Sequence, residues 1–164
     1  MHETAEDLEA LQALLDESHA GAGAHLRSIF DEERRVSAAD LPQRLEGVQQ
    51  LHLATVTAKG EPRVAPVDGL FFRGAFVFGT APNAMRATHL RARPQLSGSI
   101  AHGEEFAVVV HGRAVELDLD ADEHADLRAF FTETYGDGWE SFRQGNPYWR
   151  IEADRMFSFR GSAQ

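Results

Sequence analysis

Cysteine is absent from the 164 residues, which excludes disulfides, thiolate catalysis, and zinc or iron–sulfur sites built on cysteine. Long hydrophobic runs are absent too, since no stretch approaches the ~20 apolar residues that a membrane-spanning helix needs. The N-terminus, MHETAEDLEALQALL, carries acids where a secretory signal carries basic residues. We therefore expect a cytoplasmic protein that does not bind membranes.

Acidic residues are missing from residues 69–103, although the chain as a whole has a net charge of −10. The basic residues of this stretch are Arg73, Arg86, Arg91 and Arg93, so it carries +4 and the remainder carries −14. The overall negative charge argues against a nucleic-acid partner. A basic stretch within an acidic protein indicates instead a small anionic ligand.

The N-terminal segment, residues 1–47, is predicted to form helices that pack on the rest of the domain. Residues 4–17 have a helical apolar face with Thr4 as N-cap, and AGAGA at 20–24 ends this helix. A second short helix is predicted over 25–35, and a third from Ser37 through LPQRLEG to Gly47. We predict a packing role without chemistry for this segment.

From residue 48 to 164 the apolar pattern takes a period of two, which is typical of strands. Strands are predicted over 51–57, 62–68, 95–103, 105–117 and 148–159, with a hairpin over 69–80 that turns at Arg73-Gly74 and helices over 83–92 and 121–135. This pattern predicts one structural domain, mainly β with flanking helices, folded as a small antiparallel barrel. The prolines of PRVAPVD (62–68) favour an edge or a bulge for that strand.

Two further expectations concern the faces of the late strands. The last strand should place one set of apolar residues on a single face: Trp149, Ile151, Ala153, Phe157 and Phe159. The run AVVV (107–110) is apolar on both faces, whereas a strand of a lone small barrel usually exposes one face to water. Its outer face therefore needs a cover, either the N-terminal helices or a second subunit.

The strand–turn–helix segment FVFGTAPNAMRATHLRARPQL carries the clearest binding signal. A helix start offers unsatisfied N–H groups and the positive end of the helix dipole, which together suit a phosphate. Asn83 is predicted to cap the helix, Thr80 to offer a hydroxyl, and Arg86 to reach the same anion from the first turn. Arg91 and Arg93, at the far end, are expected to satisfy helix carbonyls.

Metal and triad patterns are not found. The eight histidines include no tightly spaced pair, and His52, His89 and His111 are interpreted as strand or helix residues. The acidic run at 118–122 lacks the glycine and glutamate of a calcium loop. We predict no metal site and assign no catalytic residue.

Three segments, LATVTAKGEPRVAPV, FVFGTAPNAMRATHLRARPQLSGSI and VVHGRAVEL, together resemble the pyridoxamine 5′-phosphate oxidase-like, FMN-binding split-barrel proteins. In that family a strand ending in GxPxxxPV precedes a hairpin, a Thr, a Ser-Arg-Lys-like helix start and NLRxxPxV. The resemblance covers about residues 48–118, and the strand near 150–160 is similar to the family's closing strand. It implies an antiparallel split β-barrel domain over 48–164 that forms a homodimer, with a cofactor pocket closed by the second subunit.

The resemblance also implies which residues bind the cofactor. Those expected along the isoalloxazine ring are Arg63, Val64, Ala65, Pro66 and Val67, and those expected near the phosphate are Thr80, Asn83 as helix cap, and Arg86. Two positions depart from the family, since its helix-start Ser is Ala84 here and its next Arg is Met85, with Arg86 at the Lys position. The departures imply a weaker phosphate grip or a different cofactor tail.

The function implied is an FMN-binding oxidoreductase that reduces a small organic substrate by hydride transfer. Some members use a deazaflavin coenzyme and some bind haem, so a deazaflavin-dependent reductase and a non-catalytic cofactor- or haem-binding protein remain alternatives. The true oxidase has a basic C-terminal extension that holds substrate, whereas this chain ends at Gln164, so we do not expect pyridoxamine phosphate oxidation. Tyr135, Trp139 and Tyr148 are candidates for the pocket wall, and Trp149 is predicted to be core.

Overall fold

The computed structural model describes residues 2–161, and the outermost residues of the predicted segments 1–47 and 48–164 lie outside that range. Within it, six strands form a closed antiparallel barrel: β1 (Gln49–Val56), β2 (Pro62–Phe72), β3 (Ala75–Gly79), β4 (Gln95–His102), β5 (Phe106–Leu117) and β6 (Tyr148–Arg160). Their order around the barrel is β1-β2-β3-β6-β5-β4, and β4 pairs with β1 to close it. The predicted mainly β barrel with flanking helices is confirmed.

The helices flank the strands at three places in the chain. Three precede the barrel, α1 (Ala5–Ala20), α2 (Ala24–Ile29) and α3 (Leu41–Arg44); one lies between β3 and β4, α4 (Met85–Ala92); and two lie between β5 and β6, α5 (Ala125–Tyr135) and α6 (Trp139–Phe142). Helix α1 begins at the predicted cap, where the Thr4 hydroxyl accepts from the Asp7 N–H and the Asp7 carboxylate accepts from the Thr4 N–H. Helices α2 and α3 are both shorter than predicted.

The first half of β2 forms an edge of the barrel. Residues 62–68 pair with β1 alone, and pairing with β3 begins only at Gly69. The proline-rich segment therefore lies at an edge, as predicted. The β2–β3 hairpin turns at Arg73 and Gly74, which have positive φ angles of 47° and 75°, the backbone geometry of a tight hairpin turn.

The N-terminal segment takes the place of a strand beside β6. Strand β6 pairs with β3 only over residues 148–150, although it pairs with β5 along its whole length. Beyond that point the Met156 N–H donates to the Ser18 hydroxyl at 2.9 Å, and the Ser158 hydroxyl donates to the Val36 carbonyl at 2.8 Å. Leu11 and Leu15 of α1 complete the cover by joining the barrel core.

The predicted single face of β6 is wrong beyond Ala153, because the strand contains a bulge. His111 pairs with Arg155 and Gly112 with Ala153, so Asp154 is an extra residue that reverses the side-chain alternation. Phe157 and Phe159 therefore leave the inner face and pack on Phe30, with ring centroids 5.8 and 5.7 Å away. At Gly112 a Cβ atom would collide with the Glu152 carbonyl oxygen, so the β5 side of the bulge requires glycine.

Candidate functional site

The segment between β3 and α4 forms a turn before the helix begins. Pro82 and Asn83 are its central residues, and the Ala84 N–H donates to the Ala81 carbonyl at 3.0 Å. The helix cap is Ala84, so the prediction that Asn83 caps α4 is wrong. Proline followed by asparagine favours a turn, and this local preference moves the helix start to Met85. Within the described part of the chain, no side chain caps the first turn of α4.

Arg86 connects the start of α4 to the free edge of β2. Its Nη2 atom donates to the Pro66 carbonyl at 3.0 Å and approaches the Ala65 carbonyl at 3.4 Å. Partial burial lowers the pKa of the Arg86 guanidinium, which nevertheless stays charged because a free arginine titrates far above neutral pH. The structure thus brings Arg86 into contact with Pro66 and Ala65, two other residues of the predicted cofactor site, which precede it by 20 and 21 positions.

The remaining predicted residues fall into two groups. Val67, half-buried on β2, and Thr80, just after β3, both line one cavity of about 640 Å³. Arg63 instead forms an exposed ion pair with Glu61 at 2.7 Å, and Val64 is 69% exposed on the outer face of the barrel. Asn83 is exposed in the turn before α4.

Helix α4 is held in place by contacts along its length. His89, which is buried, forms a hydrogen bond through Nδ1 with the Thr55 hydroxyl of β1 at 3.0 Å. Arg91 binds the Glu116 carboxylate with two hydrogen bonds, and the Arg93 Nε donates to the Val56 carbonyl at 3.0 Å. Arg91 and Arg93 thus have structural partners, although not the helix carbonyls that we expected.

The cavity beside Val67 and Thr80 has an aromatic wall supplied by α5, α6 and β6. It contains the three candidates from the sequence and two residues that the sequence did not single out for the pocket: Tyr135, Trp139, Tyr148, Phe131 and Phe142. The indole Nε1–H of Trp139 donates to the Tyr148 hydroxyl at 3.0 Å, which fixes both rings. Trp149 is 1% exposed and belongs to the barrel core, the role predicted for it.

Glycine at position 79 makes room for this wall. A Cβ atom there would lie 2.6 Å from Cε1 of the Tyr148 ring, too close for two carbon atoms. Phe142 lines the cavity and is 70% exposed, so it lies at the cavity mouth. The signal that could have indicated Phe142 is its place in the segment, rich in glycine and aromatic residues, between the helix predicted over 121–135 and the last strand.

Two features are absent from residues 2–161. No group of three or more histidine, aspartate or glutamate side chains is positioned to hold a metal ion. No helix in this range is long and apolar enough to cross a membrane.

Comparison with solved structures shows the same barrel in several proteins. One is a conserved hypothetical protein from Mycobacterium tuberculosis, with a TM-score of 0.65, 18% identity, and coverage of 79% of this chain and 88% of the other. The haem storage protein HutZ from Vibrio cholerae has a TM-score of 0.63 and 19% identity, and the match covers 75% of this chain and 93% of HutZ. A FAD-binding protein from Mesorhizobium loti has a TM-score of 0.61 and 24% identity, and the match covers 79% of this chain and 97% of that protein.

At these identities the likeness shows the fold alone. No curated protein matches the sequence. The family model described as pyridoxamine 5′-phosphate oxidase matches residues 37–160, well over half of the chain and the whole of the barrel. The protein therefore belongs to the pyridoxamine 5′-phosphate oxidase-like split-barrel family.

Proposed function

We propose that this protein binds a flavin, FMN in the first place, through its phosphate, and that it is an oxidoreductase acting on a small organic substrate. The observation that carries the proposal is the position of Arg86. A half-buried guanidinium stands at an uncapped helix start, against the free edge of β2, in a stretch of 35 residues (69–103) without an acid. A charged, oriented donor beside first-turn N–H groups suits a phosphate.

The residues present fit a flavin mononucleotide at this place. The Thr80 hydroxyl, the first-turn N–H groups of α4 and the Arg86 guanidinium are the donors for its phosphate. Residues 63–67 of β2 pair with β1 alone, so the backbone groups on their other side that do not bind Arg86 are available to the polar edge of a ring. A bound flavin supplies hydride-transfer chemistry, and the protein supplies orientation and electrostatics.

Two other cofactors are the alternatives. A deazaflavin coenzyme has a longer, acidic tail, which the basic stretch 69–103 would also suit. Because Ala84 and Met85 have apolar side chains, the side chains that would bind the phosphate are those of Arg86 and Thr80. Haem is the third candidate, because HutZ, which shares the fold, is described as a haem storage protein. In that case the protein would be a carrier rather than an enzyme.

We also propose that the protein is a homodimer. The outer face of the sheet β2-β1-β4-β5 carries exposed or half-exposed apolar side chains: Val64, Ala54, Ala107 and Val109. Their inward neighbours Val108 and Val110 are fully buried, so this strand is apolar on both faces, as its sequence indicated. A second copy of the chain would cover this face, and a stable pair needs roughly 1,200 Å² of interface in total.

The absorption spectrum of the freshly purified protein tests the cofactor assignment, followed by titration of the stripped protein with FMN, a deazaflavin coenzyme and haem. We expect a flavin spectrum and tightest binding of FMN, then turnover of NAD(P)H or of a reduced cofactor with an organic acceptor. A Soret band with no flavin binding would establish the haem carrier instead. Sedimentation at micromolar concentration should show a dimer, and a cofactor-loaded monomer would contradict the proposed assembly.

A further inference from the structure

We infer that the aromatic cavity bounded by β2, β3, α5 and α6 binds a flat aromatic molecule that is neutral or cationic, and that it discriminates against anions. We take this molecule to be the substrate that faces the cofactor, and this part of the inference rests on the proposed function. The cavity volume of about 640 Å³ lies within the range of about 300–1,000 Å³ that is typical of small-molecule sites.

The shape of the wall favours a planar ligand. Phe131 and Trp139 stack with their ring centroids 4.8 Å apart and an angle of 4° between their planes. Tyr148 packs edge-on against both rings, at 5.2 and 5.9 Å. Phe142 and Tyr135, which are 70% and 39% exposed, leave aromatic surface uncovered at the mouth. Rings of this kind bind other rings through offset or edge-to-face contacts, and they attract cations to their faces.

The charge of the cavity has one sign. Among the cavity-lining residues within 2–161, Asp68 is the only acid, and none is an arginine, lysine or histidine. Burial, followed by the negative charge of Asp68, raises the pKa of the Tyr135 phenol to about 12, so this hydroxyl remains a neutral hydrogen-bond donor at physiological pH. Arg143 lies over the Trp139 ring, but Glu140 and Asp120 bind its guanidinium at 2.8 and 2.9 Å.

The cavity contains an acid, Asp68, whereas the proposed phosphate site at the start of α4 contains a cation, Arg86. Asp68 is the last acid before the acid-free stretch 69–103, and it marks the boundary between the two sites. Val67 and Thr80 line the cavity and also belong to the residues proposed for the cofactor. A ligand in the cavity would lie beside the cofactor without competing for the arginine, and an anion there would be repelled by Asp68.

Three naphthalene probes of one shape test the inference: 2-naphthalenemethanol, 2-naphthylmethylammonium and 2-naphthoate. Their affinities are measured by isothermal titration calorimetry on the full chain, with and without FMN. We expect the cation to bind about tenfold or more tightly than the anion, the neutral probe to fall between them, and the order to persist with FMN bound. Asp68→Asn should remove most of the difference between cation and anion, whereas Phe142→Ala should weaken all three probes, and the cation at least as much as the other two.

Asp122→Asn is the matched control, because it removes an exposed acid that does not line the cavity, and it should leave the order unchanged. Equal binding of cation and anion, no binding of any probe, or displacement of the probes by FMN would each overturn the inference. If the probes bind in the expected order but no flavin binds, the proposed cofactor function fails while the cavity assignment stands. If FMN binds and the probes show no order, the cavity assignment fails while the proposed cofactor function stands.

Discussion

Replacing Arg86 with alanine should weaken flavin binding roughly 10- to 150-fold. This range corresponds to the 1.5–3 kcal/mol that a hydrogen bond to a charged group contributes. The guanidinium is half-buried and already oriented by the Pro66 carbonyl, so little side-chain entropy remains to be lost on binding. The variant should fold, because its two lost hydrogen bonds lie at an exposed edge of the barrel.

Fluorescence titration of stripped protein with FMN, at low and at moderate salt, measures the effect. The affinity of Arg86→Ala should also depend less on salt, since one screened charge pair is gone. Arg91→Ala is the control, because Arg91 lies on the same helix but binds Glu116. If both variants lose affinity equally, or if Arg86→Ala loses none, the phosphate does not bind at the start of α4.

Two further predictions concern stability. Because the pKa of Tyr135 is raised to about 12, stability from its neutral phenol is present below pH 10 and is lost as the pH rises from about 10 to about 12. Denaturant unfolding across that interval should show a steeper loss in the wild type than in Tyr135→Phe, and equal slopes would contradict it. Ser18→Ala should lower the free energy of unfolding by about 1–3 kcal/mol, because the buried Met156 N–H loses its acceptor. Ser28→Ala is the control: it removes an exposed hydroxyl and should cost about 0.5 kcal/mol or less. Urea unfolding measures both, and equal costs would exclude that role for Ser18.

The strands could be located from the sequence because their signals are local. Alternating side chains place β1, β2 and β3, the predicted turn at Arg73-Gly74 separates β2 from β3, and Gly74 has the positive φ angle that such a turn requires. The bulge at Asp154 could not be predicted, because it arises from the register between β6 and β5 rather than from either strand alone.

The site was predicted in part. The family resemblance indicated both Arg86 and the β2 segment, but neither periodicity nor spacing showed that the guanidinium contacts the Pro66 carbonyl. Asn83 was misassigned as the helix cap because a proline–asparagine turn competes with capping. The cavity wall was only a set of candidate aromatic residues until the fold brought Val67 and Thr80 beside them.

The most direct test of the central claim compares FMN with riboflavin, which has the same ring and lacks the phosphate. If the phosphate binds at the start of α4, the wild-type protein should bind FMN at least about tenfold more tightly than riboflavin. In Arg86→Ala most of that difference should disappear, while the affinity for riboflavin stays nearly unchanged. Equal binding of FMN and riboflavin by the wild-type protein would contradict the account.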